Sequence, residues 1–236
     1  MNQIPKEFNP GITSPAYFIR KKLLQSFIEF APYMKGIMLD FGCGSKPYKT
    51  LFSVEKYIGL DYENPGHSHI NEQIDVFYNG KDIPFEDEYF DSIFSSEVFE
   101  HIFNLDKSLK ELNRVLKYNG TMLISCPFSI CEHEEPHDFA RYSSFGIKHL
   151  LTNAGFEIIA QRKTGNSIEA IHQLKAIYIN RHLYPYLKKI PVIRSVFRIT
   201  LVSLVNITGI FLSKIFPNRN DLYLNNIVVC KKIKVI

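Results

Sequence analysis

Apolar positions along this chain alternate between short continuous runs and longer stretches with helical spacing. Ser14 to Ala31 sets Phe18, Leu23, Leu24, Phe27 and Ile28 on one stripe, which predicts an amphipathic helix. Gly36 to Phe41 is a brief apolar run that stops at glycines, the mark of a strand buried on both faces. Pro47 to Phe52 fits a first short helix, with proline at the entry position. Further strands are expected at Lys56–Leu60, Gln73–Phe77 and Phe90–Ser95. Leu105, Leu109, Leu112, Val115 and Leu116 then repeat at helical spacing behind Asn104 as a cap, and Asn119-Gly120 makes the turn into a strand at Thr121–Cys126. A helix at Ser144–Ala154 and a strand at Phe156–Arg162 follow, with a last strand over Leu222–Cys230.

Strand–helix alternation with apolar strands predicts a single α/β domain over residues 1–236. Its core is a doubly wound, mostly parallel, seven-stranded Rossmann-like sheet. Residues 167–217 break the rhythm with two helical stretches and no strand, so they are read as a helical insertion before the last strand.

At 236 residues with ordinary apolar and charged fractions, the chain is long enough for one full core plus that insertion. A net charge of +4 is mild, but the basic residues crowd the last third, among them Lys188, Lys189, Arg194, Arg198, Lys214 and Arg219. No basic stripe interleaved with aromatics crosses the α/β part, so nucleic acid is not an expected partner. The cysteines (Cys43, Cys126, Cys131, Cys230) form no C-x-x-C pair and read as reduced thiols. The N-terminal residues lack the charged start and apolar run of a signal peptide. A cytoplasmic location is expected, with a peripheral contact at the inner membrane face as an extension of it.

One stretch invites a different reading. His133-Glu134-Glu135-Pro136-His137 spells H-E-x-x-H, the zinc-protease pattern. That chemistry needs both histidines on one face of a continuous helix, and Pro136 between them opposes one. The segment reads instead as a polar loop after the fifth strand, on the carboxyl edge where open α/β sheets bind ligands. Of its residues His133 is the first candidate for a general base and His137 the second, with Asp138 or Glu134 to orient one of them. A solvated loop closed by an Asp138–Arg141 pair is the bland alternative. A metal site of His133, His137 and a carboxylate ranks behind both, and no metal is assigned.

The first strand runs into Asp40-Phe41-Gly42-Cys43-Gly44-Ser45-Lys46-Pro47, where glycines let backbone approach a ligand. Pro47 stands at the third glycine of the dinucleotide fingerprint, which disfavours NAD. Asp61 ends the second strand, where an acid can accept from ribose hydroxyls. With Asn79-Gly80, Ile83-Pro84-Phe85, Phe90-Asp91, Glu97-Val98-Phe99-Glu100-His101 and Arg114-Val115-Leu116-Lys117, the series resembles the class I S-adenosylmethionine-dependent methyltransferases, in their type 11 branch. The resemblance covers roughly residues 36–165 and the final strand. It implies S-adenosyl-L-methionine as cofactor. Asp40, Gly42, Cys43 and Gly44 would cradle its methionine end, Asp61 its ribose, Asn79 and Gly80 its adenine, and Ser96 the adjoining wall. Lys46 stands where the family has a third glycine, and would narrow the loop or meet the methionyl carboxylate. Asn79 replaces the usual Asp, its amide oxygen still able to accept from the adenine amino group. The loop from His133 to Tyr142 resembles one in family members found in polysaccharide gene clusters, which implies O-methylation of a small or glycan-type acceptor. A partner subunit of the same fold without turnover is the alternative.

From Ile199 to Ser213 no charged residue occurs. The run falls short of the roughly 20 apolar residues that span a bilayer. Ser195, Arg198, Asn206, Gly209 and Ser213 share one narrow stripe on a broadly apolar helix. Over residues 186–217 three roles stand open: a lid packed on the domain, a homodimer seam, or a membrane-surface helix serving a lipid-linked sugar.

Overall fold

The computed structural model describes residues 4–62, 73–186, 191–217 and 219–236, without the side chains of 191–194. Lys188 and Lys189 therefore lie outside the described residues, as does the side chain of Arg194.

Among the described residues seven strands form one sheet: β1 (Ile37–Phe41), β2 (Lys56–Tyr62), β3 (Val76–Tyr78), β4 (Phe90–Ser96), β5 (Leu116–Pro127), β6 (Phe156–Lys163) and β7 (Asn225–Lys232). Their order is β3-β2-β1-β4-β5-β7-β6, with β7 antiparallel to both neighbours and the other pairings parallel. The order reverses between β1 and β4, which is where such sheets open a crevice at their carboxyl ends.

Successive side chains of a strand point to opposite faces, and here both faces are covered. Leu39, Phe41, Ile93, Met122 and Ile124 pack against α2 (Leu105–Val115) and α3 (Ser144–Asn153). Met38, Phe94, Leu123 and Val229 pack on the other side with Phe18, Leu23 and Phe27 of α1 (Tyr17–Phe30) and Ala170 of α4 (Ser167–Tyr178). Helix α2 earns its place by pattern, with Leu105, Leu109, Leu112 and Val115 all buried on one stripe. Asn104 occupies its cap position but makes no side-chain cap bond.

Pro47–Phe52 departs from expectation. Only a 3-10 turn forms, at Lys49–Leu51. Six residues barely allow a helical nucleus. Tyr48 and Phe52 instead turn their rings into the α1-side core, Tyr48 lying 4.8 Å from Phe27 and Phe52 4.8 Å from Phe94. The third strand also starts later than its apolar run suggests, at Val76.

The insertion is helical over its described length up to Ile215. A π-helical turn (Ile179–Leu183) and a short α5 (Tyr184–Tyr186) continue α4, and α6 (Pro191–Ile215) packs back on α4. Gly209 makes that crossing close, since a Cβ there would lie 2.8 Å from His172 and 2.9 Å from Phe18. The polar stripe of α6 faces the protein at Asn206 and Gly209, both buried, and the Asn206 amide donates to the carbonyls of Ile12 and Ser14, while Ser195 at the other end of the stripe is exposed. Ala16 offers α1 no side-chain cap, and buried Gln173 of α4 accepts from the N–H groups of Phe18 and Ile19 instead. The insertion thus fastens the N-terminal segment across the molecule.

Candidate active site

The glycine turn after β1 is held by backbone. Gly42 (φ +74°) and Cys43 both donate to the Leu60 carbonyl, at 2.9 and 3.2 Å, which folds the loop over the end of β2. A Cβ on Gly42 would meet Val98 at 2.3 Å, so no side chain fits there. Gly44 (φ +45°) donates to Asp61 Oδ2 at 2.7 Å, and the other Asp61 oxygen accepts from Tyr62 N at 2.7 Å. Asp61 and the turn therefore form one unit, as a cradle for an adenosyl group requires.

Around that unit the remaining sequence candidates take different positions. Asp40 is buried, where it accepts from the Tyr57 hydroxyl; burial raises its pKa to about 7, with the Asp61 charge adding to the rise. Cys43 is buried against Gly59, and burial raises its thiol pKa well above the usual range, so it packs and does not react. Asn79 is exposed at the end of β3, its amide oxygen accepting from Lys81 and Asp82 N–H in a local turn. The oxygen expected to meet adenine is thus already shared between two backbone donors. Gly80 (φ +76°) lies against the half-exposed ring of Tyr62, where a Cβ would come within 2.9 Å. Ser96 ends β4 with its hydroxyl 3.2 Å from that of Ser125.

Lys46 corrects the expectation placed on it. Its stem lies across Gly59, where a Cβ would stand 2.2 Å from Cε, and its ammonium bonds Asp75 at 2.6 Å. The side chain is buried beneath the loop, so it neither narrows the turn nor reaches a methionyl carboxylate.

Beyond β4 the chain carries acids that spacing left without a role. Glu97 (φ +58°) is surrounded by donors: Ser125 Oγ at 2.8 Å and Asn225 Nδ2 at 2.8 Å. Burial raises its pKa to about 7. Glu100, in the 3-10 turn Phe99–His101, is fully buried, and neither carboxylate oxygen has a hydrogen-bond partner. Burial drives its pKa well up, and the Glu97 charge adds to that. Two acids amid Val98, Phe99 and Ile102 were the available sequence signal: a charge in an apolar run needs a reason.

The His133 loop is stitched onto that turn. Phe139 and Ala140 N–H both donate to the Glu100 carbonyl, at 2.8 and 3.3 Å, and His101 Nδ1 donates to the His137 carbonyl at 2.7 Å. Residues 128–143 contain no helix, in keeping with the rejection of the protease pattern. His133 is oriented by Asp138, which accepts from the His133 backbone N–H at 2.9 Å and lies 3.2 Å from Nδ1. Arg141 in turn grips both Asp138 oxygens. That guanidinium holds the Asp138 carboxyl well below the usual carboxylate range. Burial, followed by the nearby His101, lowers the His133 pKa. The loop thus brings His133 and Asp138 together, while the His137 ring turns aside toward Phe139, at 6.1 Å.

Strand order, glycine turn and the Asp61 cradle together define the class I methyltransferase fold. Residues 39–124 match the family model described as a methyltransferase domain, a likeness that supports S-adenosyl-L-methionine as the cofactor. A Mycolicibacterium smegmatis protein named "Probable S-adenosylmethionine-dependent methyltransferase" is 26% identical over 133 residues, 51% of this chain. The chain spans about half the length of that relative, 52%. Among solved structures, an S-adenosylmethionine-dependent methyltransferase from Archaeoglobus fulgidus superposes with a TM-score of 0.56 at 15% identity, covering 96% of this chain and 97% of its own. The [4+2]-cyclase SpnF superposes with a TM-score of 0.57 at 16% identity, covering 90% and 80%. These likenesses show the fold, and the same fold carries a cyclase as well as methyltransferases.

Proposed function

We propose that the protein transfers a methyl group from S-adenosyl-L-methionine to a hydroxyl of a small or glycan-type acceptor, a lipid-linked sugar presented at the cytoplasmic membrane face. Bound there, the cofactor supplies a methyl carbon that is already electrophilic. Gly42, Gly44 and Asp61 would hold it, with Gly80 and Tyr62 toward the adenine end. What the chain must add is an acceptor held in line and help in releasing its proton. His133 activates that hydroxyl. The carrying observation is its placement: Asp138 fixes the ring through Nδ1, Arg141 fixes Asp138, and the loop is docked on the turn that follows β4. Transfer of tritium from labelled cofactor into cell-envelope glycan fractions tests the reading. Label that stays in the cofactor with every glycan and small-hydroxyl pool would refute it.

The membrane part rests on α6. With Asn206 and Gly209 turned inward, Val196, Leu204, Ile207, Phe211 and Ile215 are each more than half exposed. Ser195–Ile215 is long and apolar enough to cross a bilayer by length and composition, well beyond the uncharged run alone. Its side-on packing against α4 suits a helix lying in the interface, with Lys214 and Arg219 exposed at one end for anionic headgroups. Flotation with phosphatidylcholine–phosphatidylglycerol vesicles should carry the protein upward, and Ile207→Ser with Phe211→Ser should leave it in the dense fraction. Equal flotation of both proteins would remove the membrane role.

A further inference from the structure

The orphaned Glu100 carboxylate does not stand alone. One donor atom each from Glu100, His101 and His133 lies within 4.8 Å of the other two. Glu100 Oε1 is 3.7 Å from His101 Nε2 and 4.0 Å from His133 Nε2, and the two rings meet edge to face at 4.9 Å. These separations are close to those between ligands around one small cation with bonds of about 2.0–2.2 Å. We propose that Glu100, His101 and His133 bind a divalent cation of the imidazole-preferring kind, Zn2+ being the type.

Tautomers decide in its favour. A carbonyl can only accept, so His101 Nδ1, 2.7 Å from the His137 carbonyl, carries the proton and leaves the Nε2 lone pair facing the cluster. His133 Nδ1 lies between two acceptors, Asp138 Oδ2 at 3.2 Å and the Cys131 carbonyl at 3.3 Å, which outweigh the Arg141 donor at 3.4 Å. Its Nε2 lone pair faces the same point. Ligating histidines characteristically donate their other nitrogen to a carboxylate or carbonyl, and both do so here. Glu100 supplies the charge: a fully buried carboxylate with two unpartnered oxygens lacks only a cation to compensate it. Two histidines and one glutamate leave a position open, as in catalytic zinc sites. Glu134 Oε2, exposed and 3.7 Å from His101 Nε2, borders that opening.

His137 takes part through its backbone alone. The two histidines of the H-E-x-x-H spelling therefore do not share the ion, and the second imidazole comes from residue 101. With a cation held there, His133 would activate the acceptor hydroxyl by holding the ion that acidifies it at the open position, its own lone pair being engaged; that role rests on the function proposed above, and cation binding itself does not.

Cobalt substitution tests the site in the full-length protein. After chelator treatment and dialysis, one equivalent of Co2+ should give the visible absorption of a low-coordinate centre, and Zn2+ should displace it. Glu100→Gln and His101→Ala should each weaken binding at least a hundredfold, while His137→Ala should bind as the parent does. Calorimetry with S-adenosyl-L-methionine checks that each variant is folded, and His101→Ala decides alone if Glu100→Gln is not. A parent protein without one-to-one binding overturns the proposal, as do variants that bind Co2+ like the parent. Because no acceptor or turnover enters the measurement, a failed metal site and a failed methyltransferase reading give different results.

Discussion

The two sides of the carboxyl edge are built by different means. On the β1–β2 side, position follows from sheet register: Asp40 pairs with Gly59 and Phe41 with Leu60, and the turn that follows bonds back to Leu60. On the β4–β5 side, position comes from contacts between segments far apart in the chain. The His133 loop hangs on the Glu100 carbonyl, and Arg181 of the insertion donates to the Glu132 carbonyl. A binding site for a shared cofactor can be carried by a strand and a turn. A site for a particular acceptor is assembled from loops and insertions, which are free to differ between relatives.

Substitutions on the two sides should separate cleanly. The largest effect is expected for His133→Ala: turnover should fall by about 10^2 to 10^4, the range for losing assistance to proton release in the transition state. Cofactor affinity by calorimetry should stay at the parent value. A parallel loss of both would make His133 a structural residue and erase the contrast.

Next comes pH. Asp40 faces Tyr57, Lys46, Asp61 and Asp75, and burial raises its pKa to about 7 from an ordinary value near 3.8. Between those values the folded protein holds one proton more than the unfolded chain, so stability falls as pH rises from about 4 to about 7 and then levels. The span corresponds to an upper figure on the order of 4 kcal/mol. Denaturant titrations across that range should show the slope in the parent and a flatter line in Asp40→Asn. Equal slopes would place the Asp40 carboxylate in water.

Gln173→Ala should cost about 2 kcal/mol, because it leaves two buried N–H groups at the start of α1 without an acceptor. The midpoint of urea unfolding measures it, and an unchanged midpoint would mean that α1 needs no cap from the insertion. The smallest effect is expected for Asp61→Asn, which weakens one acceptor while keeping its shape. Cofactor affinity should fall roughly tenfold, equivalent to about 1.4 kcal/mol, with Co2+ binding untouched. A simultaneous loss of Co2+ affinity would show that the two sides are one structure.

Legibility in the sequence follows the same division. Gly42, Gly44 and Asp61 are readable because a strand, a turn and a strand end are local patterns, and the structure joins them through Gly44 N. Of the partners of His133, Asp138 is readable five residues along the loop, and the more distant ones are not. His101 and Glu100 lie more than thirty residues away, and only the docking of Phe139 and Ala140 on one carbonyl brings them near. The place of Lys46 is hidden for a related reason: its destination, Asp75, lies across β2, and the channel to it exists only because residue 59 is glycine. For α6 the two-faced composition was plain, but the orientation depends on Ile12 and Ser14, whose carbonyls no helical pattern reveals.

The bond from Gln173 to the start of α1 has a consequence for how the chain is made. Phe18 leaves the ribosome 155 residues ahead of the side chain that answers its N–H. At 5–20 residues per second, that is a wait of about 8 to 30 s. Helix α1 can fray and reform throughout synthesis, and it gains its fixed beginning only when the insertion emerges and closes over it.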